Sequence, residues 1–182
     1  MAFITANYKE NSSNDFEALP TGNYEVIIQS AQEKATPKGA ESLQLRLVVR
    51  NDLDGVPEFD KTNAKYHNRI VFMDNWKRKA TGQYDTKSLQ YILEACEIPE
   101  GTPLDSIADF SKALAGRPAN VYVKKSVDSY NGENREINQV APWNFKKSKF
   151  PQVNHKFKDG ELGIDPFADS KQVDIQDSDL PF

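Results

Sequence analysis

The stretch that decides the fold is residues 23–50, with the sequence NYEVIIQSAQEKATPKGAESLQLRLVVR. Apolar residues take alternate positions in both halves of it: Tyr24, Val26 and Ile28 in the first, and Leu43, Leu45, Leu47 and Val49 in the second. A period of two is typical of half-buried β-strands. Between the halves, residues 36–39 (TPKG) place proline second and glycine fourth in a type I turn. The stretch therefore predicts a β-hairpin.

The next segments predict a third strand and then a helix. The strand is expected at residues 68–74 (NRIVFMD). Apolar side chains then recur at helical spacing, at Leu89, Ile92, Leu93 and Cys96. Asp85 is placed to cap this helix, and Pro99 with Gly101 to end it. Cys96 lies on the apolar stripe, which favours a small core residue over a reactive thiol.

A second helix and two more strands complete the pattern. Residues 102–115 predict the helix, with Thr102 as N-cap and Gly116 just past the end. Strands follow around residues 121–124 and 135–140, and Asn131-Gly132 between them is a strong hairpin signal. The order β-β-β-α-α-β-β is that of the OB-fold, a five-stranded Greek-key barrel that binds oligonucleotides. The predicted class is therefore mostly β with a helical insertion, OB-fold-like, with a generic α+β domain as the alternative.

Charge divides the chain into four regions. Residues 159–182 carry seven acids against Lys171, a local charge of −6, so the net charge of −4 leaves +2 for residues 1–158. Residues 146–158 are basic and aromatic, without an acid. We expect residues 1–18 to form an N-terminal arm, residues 19–145 the OB-like domain, residues 146–158 a basic aromatic segment and residues 159–182 a flexible acidic tail.

Length and composition exclude several classes of protein. A chain of 182 residues suits one domain of ordinary size. It has no apolar run near the ~18 residues of a membrane span and no secretory signal pattern. The single cysteine, Cys96, excludes an internal disulfide framework and a cysteine-cluster zinc site. A cytoplasmic location is expected.

Motifs for catalysis are absent from the sequence. The two histidines, His67 and His155, lack partners at metal-ligand spacing, and no phosphate-binding glycine loop occurs. The carboxylate pairs Asp52/Asp54 and Asp105/Asp109 lie at a turn and on a helix, where solvation accounts for them. We therefore expect neither an enzyme nor a bound cofactor or metal.

Cations and aromatic side chains occur together in three places around the predicted barrel. Single-strand binding needs both, because cations follow the phosphates and flat rings stack on the bases. The segments are KYHNR with NWKRK around the third strand, VYVKK in the fourth, and WNFKKSKF after the fifth. The candidate DNA-binding residues are Arg46, Arg69, Trp76, Lys77, Arg78, Lys79, Tyr122, Lys124, Lys125, Trp143, Lys146, Lys147 and Phe150.

The last residues resemble the C-terminal tip of bacterial single-stranded-DNA-binding proteins. In that family a few aspartates precede an aliphatic residue, a proline and a terminal phenylalanine. The tip docks into a basic-rimmed apolar pocket on replication and repair proteins. The matching positions here are Asp177, Asp179, Leu180, Pro181 and Phe182, although the acids are sparser. The resemblance implies that this tip recruits protein partners.

A longer resemblance spans Leu19 to Val140, through LPTGNYEV, LAGRPANVYVKK and NGENREINQV. The matching positions are Gly22, Tyr24, Lys38, Gly39, Gly116 and Asn138. These segments are similar to a family of small phage proteins of long-uncharacterised function, encoded among replication and recombination genes. That family is taken to consist of single-stranded-DNA-binding proteins with OB-folds. The resemblance implies non-sequence-specific single-stranded-DNA binding in phage replication and recombination, in the host bacterial cytoplasm.

Other functions stay open at this point. A protein–protein adaptor without DNA binding would leave tryptophan fluorescence unchanged by an oligonucleotide. A metal-dependent nuclease would degrade labelled DNA when magnesium is added. RNA is also open as a ligand, since stacking and phosphate contacts do not read the sugar. The oligomeric state, including a homo-oligomer, is not specified by these patterns.

Overall fold

A computed structural model of the chain describes residues 17–130 and 132–157. Within those residues the fold is mostly β, with six strands and three helices. The strands are β1 Gly22–Ala35, β2 Glu41–Val49, β3 Ile70–Trp76, β4 Pro118–Tyr130, β5 Glu133–Gln139 and β6 Phe145–Lys146. The helices are α1 Asn63–Tyr66, α2 Thr86–Ala95 and α3 Ile107–Leu114, and short 3₁₀ turns occur at Pro57–Phe59 and Pro142–Asn144.

The hairpin predicted from residues 23–50 is confirmed. β1 and β2 pair antiparallel from Val26 opposite Val49 to Ala35 opposite Glu41, with one irregularity between Ile28 and Ser30. In the turn, the Gly39 N–H donates to the Thr36 carbonyl at 2.9 Å. Gly39 has a φ of 87°, a conformation that favours glycine.

The strands form an OB-like barrel. They are hydrogen-bonded antiparallel in the order β3-β2-β1-β4-β5, and β6 pairs with β4. The end strands β3 and β5 lie next to each other in space, although no strand pairing joins them in the described part of the chain. The sheet therefore closes on itself as a partly open Greek-key barrel. The opening between β3 and β5 positions the site described below.

The N-terminal cap predicted from the sequence is found in α2 but not in α3. Asp85 caps α2 as predicted, accepting a hydrogen bond from the Ser88 N–H at 3.4 Å. The predicted start of α3 at residue 102 is wrong. The cap is Ser106, which accepts from the Asp109 N–H at 3.1 Å and donates to the Asp109 carboxylate at 2.7 Å. This reciprocal pair satisfies the first turn of α3, so the helix begins at Ile107.

The core fills the inside of the barrel and the space beneath α2 and α3. It contains the alternating residues of β1 and β2 that the period of two predicted. Cys96 is buried in it as expected, and burial raises the pKa of its thiol to about 12. Phe145, the first residue of β6, is also buried.

A buried charge network ties residues 148–157 to the barrel. Arg50, which is 0% exposed, donates to both carboxylate oxygens of Asp52, at 2.8 and 2.5 Å. It also donates to the backbone carbonyls of Phe150 at 2.6 Å and Gln152 at 3.0 Å. The buried carboxylate of Glu25 accepts from the Ser148 hydroxyl at 2.6 Å. The basic aromatic segment therefore lies along the barrel in its described part.

This network corrects one reading of the sequence. Asp52 is not a solvated turn residue, because its side chain is 5% exposed and paired with Arg50. The interpretation of Asp109 as a solvated helix residue is confirmed, because it is exposed in the first turn of α3, where its carboxylate also accepts from the Ser106 hydroxyl. Asn131 of the β4–β5 hairpin, residues 1–16 of the arm and residues 158–182 lie outside the described residues.

Candidate functional site

The barrel opens into a cleft of about 610 Å³ between β3 and β5. The β3 side contributes Phe72, Asp74, Asn75 and Trp76. The far wall is formed by residues 137–143, from the end of β5 through the following 3₁₀ turn. Arg78, Asp85 and Ser88 line the end near α2.

The β3 wall follows from strand alternation. Val71 and Met73 point into the core and are buried, so their neighbours point outward. Phe72 is 43% exposed and Trp76 48% exposed. The register pairs Phe72 with Arg46, and Trp76 with Ser42, on β2. Two large rings therefore lie on one exposed sheet face, with a polar residue between them.

Trp143 forms the opposite wall. It lies in the 3₁₀ turn Pro142–Asn144, between the buried residues Pro142 and Phe145. Those two side chains anchor the turn against the protein. The Trp143 side chain is directed outward and is 63% exposed, the second of two tryptophans that line the same cleft.

Two arginines supply positive charge at the cleft. Arg78 pairs with Asp85 at 3.1 Å. Desolvation acts to raise the pKa of Asp85, but hydrogen bonds from Arg78 and from the Ser88 N–H hold it below its usual value. Arg46 lies beside the cleft, with its guanidinium carbon 5.9 Å from the Phe72 ring centroid. Its Nε is buried and has no hydrogen-bond partner among the described residues.

Asp74 occupies the position between the two β3 rings. Its Oδ1 accepts hydrogen bonds from the Ser42 hydroxyl at 3.0 Å and from Gln44 Nε2 at 3.1 Å. Within residues 17–130 and 132–157, no cation lies within 4.0 Å of its carboxylate. The cleft thus contains one carboxylate paired with an arginine and one without a cation partner.

Several predicted cations form ion pairs elsewhere. Lys77 pairs with Glu41 and with Glu33 and lies 5.1 Å from the Tyr84 ring centroid. Lys125 pairs with Glu136 at 2.7 Å and Lys147 with Glu97 at 3.7 Å. Arg69 donates to the Glu17 carbonyl. Lys79, Lys124 and Lys146 are exposed and form no ion pair with the described residues, and Lys147 is exposed as well.

The remaining predicted aromatics lie outside the cleft. Tyr122 is exposed on β4, between the buried residues Val121 and Val123. Phe150 is half-buried and packs edge-to-face on Phe59, with ring centroids 5.8 Å apart. The structure therefore brings together Trp76, Arg78 and Trp143 from the predicted set and places Tyr122 and Phe150 apart from them.

Sequence reasoning missed Phe72 and Asp74. The signal was present, because strand parity from the exposed Trp76 places both residues on the same face. It was obscured by apolar residues at four successive positions, 70–73. Tail residues Asp177, Asp179, Leu180, Pro181 and Phe182 lie outside the described residues.

Neither a metal-ligand cluster nor a membrane-spanning helix occurs among the described residues. They contain no group of three or more histidine, cysteine or acidic residues arranged to hold a metal ion. None of the described helices has the length and hydropathy needed to cross a bilayer.

Comparison with known families assigns the chain. The model of the family described as "Protein of unknown function (DUF669)" matches residues 6–160. The chain belongs to the DUF669 family. The match covers every described strand and helix, and with them both walls of the cleft.

Other comparisons give weaker results. No curated protein matches the sequence. Among solved structures, a chain titled "Yeast RPA bound to ssDNA" is similar, at 9% identity, over 77% of this chain and 88% of that chain, with a TM-score of 0.29.

Proposed function

We propose that this DUF669 protein binds single-stranded DNA without sequence specificity, as a binding protein and not an enzyme. The observation that carries the proposal is the pair of exposed tryptophans, 48% and 63% exposed, on the two walls of one cleft. Single-strand binding of this kind needs ring faces on which successive bases stack, and each stacked base contributes about 1–3 kcal/mol.

The exposure of these rings calls for an explanation. Burying a large aromatic side chain is among the more favourable events in folding, at about 1.5–3 kcal/mol. Trp76, Trp143 and Phe72 are only partly buried, so they lack much of that stabilisation. All three line the same cleft. Exposed apolar groups concentrated in a cleft are typical of a binding site. Flat unstacked bases complement such rings, whereas duplex DNA keeps its bases stacked inside.

Positive charge near the rings suits the phosphates. Arg78 lines the cleft, where it pairs with Asp85 at 3.1 Å, and the Arg46 guanidinium carbon lies 5.9 Å from the Phe72 ring centroid. The exposed lysines Lys79, Lys124 and Lys146 are further candidates for phosphate contacts along the path of the strand. Residues 19–145 carry a charge of −1, and the adjoining basic segment of residues 146–158 carries +5, so the positive charge available to a polyanion is concentrated in that segment.

We further propose the biological setting implied by the sequence. The segments from Leu19 to Val140 favour a role in phage replication and recombination in the bacterial cytoplasm. The acidic tip, with Leu180, Pro181 and Phe182, is proposed to recruit replication or recombination proteins.

The test is a titration of labelled oligo-dT and of a duplex of equal length with the full chain, at two salt concentrations. We expect oligo-dT to bind more tightly than the duplex. Its log affinity should fall with log salt by about 0.7 for each phosphate neutralised. Equal binding of the two DNAs would contradict stacking, and a flat salt response would contradict phosphate contacts. RNA of the same length tests whether the sugar is read.

A further inference from the structure

Asp74 is an acidic residue in the middle of the face to which we assign single-stranded DNA. Asp74 is two residues from Phe72 and two residues from Trp76, so alternation along β3 puts all three on the same face. The distance along the strand to each is about 6.7 Å. A carboxylate at this point repels phosphates, so it weakens a purely electrostatic groove. Its position calls for a ligand group that donates hydrogen bonds.

The hydrogen bonds of Asp74 orient its carboxylate and leave one oxygen available to accept from such a group. Its Oδ1 accepts from both Ser42 and Gln44, which fixes the orientation of the carboxylate. Its Oδ2 accepts no hydrogen bond from the described residues. Asp85, the other carboxylate of the cleft, differs because Arg78 and the α2 N-terminus already occupy it. Asp74 is therefore the one with an acceptor oxygen left for a ligand, within the part of the chain described.

The chemistry of the bases decides which ligand fits. An ionised carboxylate only accepts hydrogen bonds. Guanine presents two adjacent donors on its Watson–Crick edge, the N1–H and the N2 amino group. Adenine and cytosine each present one amino group beside an acceptor, and thymine presents one N–H between two carbonyl oxygens. Proteins read unstacked bases on this edge while aromatic side chains hold their faces.

We infer that Asp74 is a base-reading residue that gives the cleft a preference for guanine over the other bases. The inference rests on the proposed function, because it needs a base stacked on Phe72 or Trp76. Binding then remains tolerant of sequence along most of the strand and selects guanine at the one position that Asp74 reaches.

The experiment measures binding of the full chain to labelled oligo-dT carrying one substituted base near its centre. The bases compared are guanine, adenine and hypoxanthine. Adenine controls for purine stacking, and hypoxanthine keeps the N1–H but lacks the N2 amino group. Because Oδ2 is the oxygen left for the base, it would accept from both guanine donors but from one amino group of adenine. We expect guanine to bind at least about fivefold tighter than adenine, the lower end for a specific base contact. Hypoxanthine should fall between the two.

A variant separates base reading from general effects. Asp74→Asn keeps Oδ1 as an acceptor for Ser42 and Gln44 but replaces Oδ2 with a donor. We expect it to lose the guanine advantage and to bind unsubstituted oligo-dT more tightly, since a charge that repels phosphate is gone. The control is Asp128→Asn, on the β4–β5 hairpin and paired with Arg135 at 3.7 Å, which should keep the guanine advantage.

The outcomes distinguish this inference from the proposal beneath it. Equal binding of the guanine and adenine oligonucleotides, or a guanine advantage that survives in Asp74→Asn, overturns the role of Asp74 and leaves single-strand binding in place. Absence of binding to every oligonucleotide overturns both.

Discussion

Trp76 and Trp143 are the two tryptophans of the chain, and both line the cleft. They come from elements far apart in the sequence, the end of β3 and the turn after β5. A ring that is exposed for binding contributes little to the core. Its removal should therefore weaken binding while changing the free energy of unfolding little.

Trp76→Ala should weaken binding of oligo-dT by about 1–3 kcal/mol while the protein stays folded, because a base loses its stacking partner. The measurement is fluorescence anisotropy of labelled DNA, with circular dichroism to check the fold. Tyr91→Ala is the matched control, since Tyr91 is 51% exposed on α2 and lies outside the cleft. An equal loss of affinity in both variants would contradict a role specific to Trp76.

The buried pair Arg50–Asp52 predicts how stability depends on pH. Desolvation acts to raise the pKa of Asp52, but hydrogen bonds from Arg50 and from the Asn154 N–H hold it below its ordinary value of 3.8. A carboxyl group with a lowered pKa in the folded state stabilises the fold above its unfolded pKa. That contribution is lost as the pH falls through the lower, folded pKa.

Asp52→Asn should therefore cost about 3–5 kcal/mol at pH 7, the usual effect of removing one partner of a buried pair. The difference from wild type should shrink as the pH falls below about 4, near the unfolded pKa of 3.8. Urea unfolding of wild type and Asp52→Asn between pH 7 and pH 3 measures the cost at pH 7 and its decrease at low pH. Asp128→Asn, in an exposed pair, should cost under about 1 kcal/mol at pH 7. A constant difference between wild type and Asp52→Asn at all pH values would argue against the ion pair.

At the scale of elements, strand periodicity was the most reliable part of the sequence. The β1–β2 hairpin, the positions of β3, β4 and β5, and the cap of α2 were all predicted from local patterns. The formation of these elements depends on residues a few positions apart in the sequence, so local patterns are enough to predict them. The start of α3 was predicted wrongly because Thr102-Pro103 and Ser106 with Asp109 are both acceptable helix starts. The reciprocal bonds between Ser106 and Asp109 are the ones that form.

The α3 start gives a test at this scale. Ser106→Ala should cost about 1 kcal/mol in the free energy of unfolding, because the Asp109 N–H loses its acceptor. Thr102→Ala should cost less, since Thr102 lies outside the helix and its side chain donates an exposed hydrogen bond to the Pro99 carbonyl, which the Thr102 backbone N–H also contacts. Chemical denaturation of the two variants gives the comparison. A larger loss for Thr102→Ala would place the helix start where the sequence suggested.

Contacts between distant segments could not be predicted from the sequence. Trp76, Arg78 and Trp143 were each candidates, but no local signal places residue 143 beside β3. The packing of residues 148–152 was hidden for the same reason. The bonds from Arg50 to the carbonyls of Phe150 and Gln152 span about a hundred residues. A run of lysines and aromatics looks the same whether it binds DNA or lies along the barrel.

At the scale of the whole molecule, opposite charges share one chain. Residues 159–182 carry −6 and residues 1–158 carry +2. If the chain binds DNA as proposed, an acidic segment on the same chain would compete with phosphates, at an effective concentration on the order of millimolar.

Deletion of residues 174–182 should leave DNA affinity unchanged or higher at low salt, with the gain shrinking as salt screens the competition. Replacing Leu180, Pro181 and Phe182 with alanine keeps the acids, so DNA affinity should stay at the wild-type value. Both variants should lose replication or recombination proteins in pull-down assays. A drop in DNA affinity on deletion would instead make these residues part of the DNA-binding surface.

The central claim is that single-stranded DNA occupies the cleft between β3 and the turn after β5. Because both tryptophans line that cleft, tryptophan fluorescence reports on it. The measurement is titration of Trp76→Phe, Trp143→Phe and wild type with oligo-dT at low salt, followed by tryptophan emission. Stacked bases quench the indole they cover, so each single-tryptophan variant should lose emission at the same DNA concentration that saturates anisotropy. Saturable binding by anisotropy with unchanged emission from both tryptophans would place the DNA elsewhere and contradict the account.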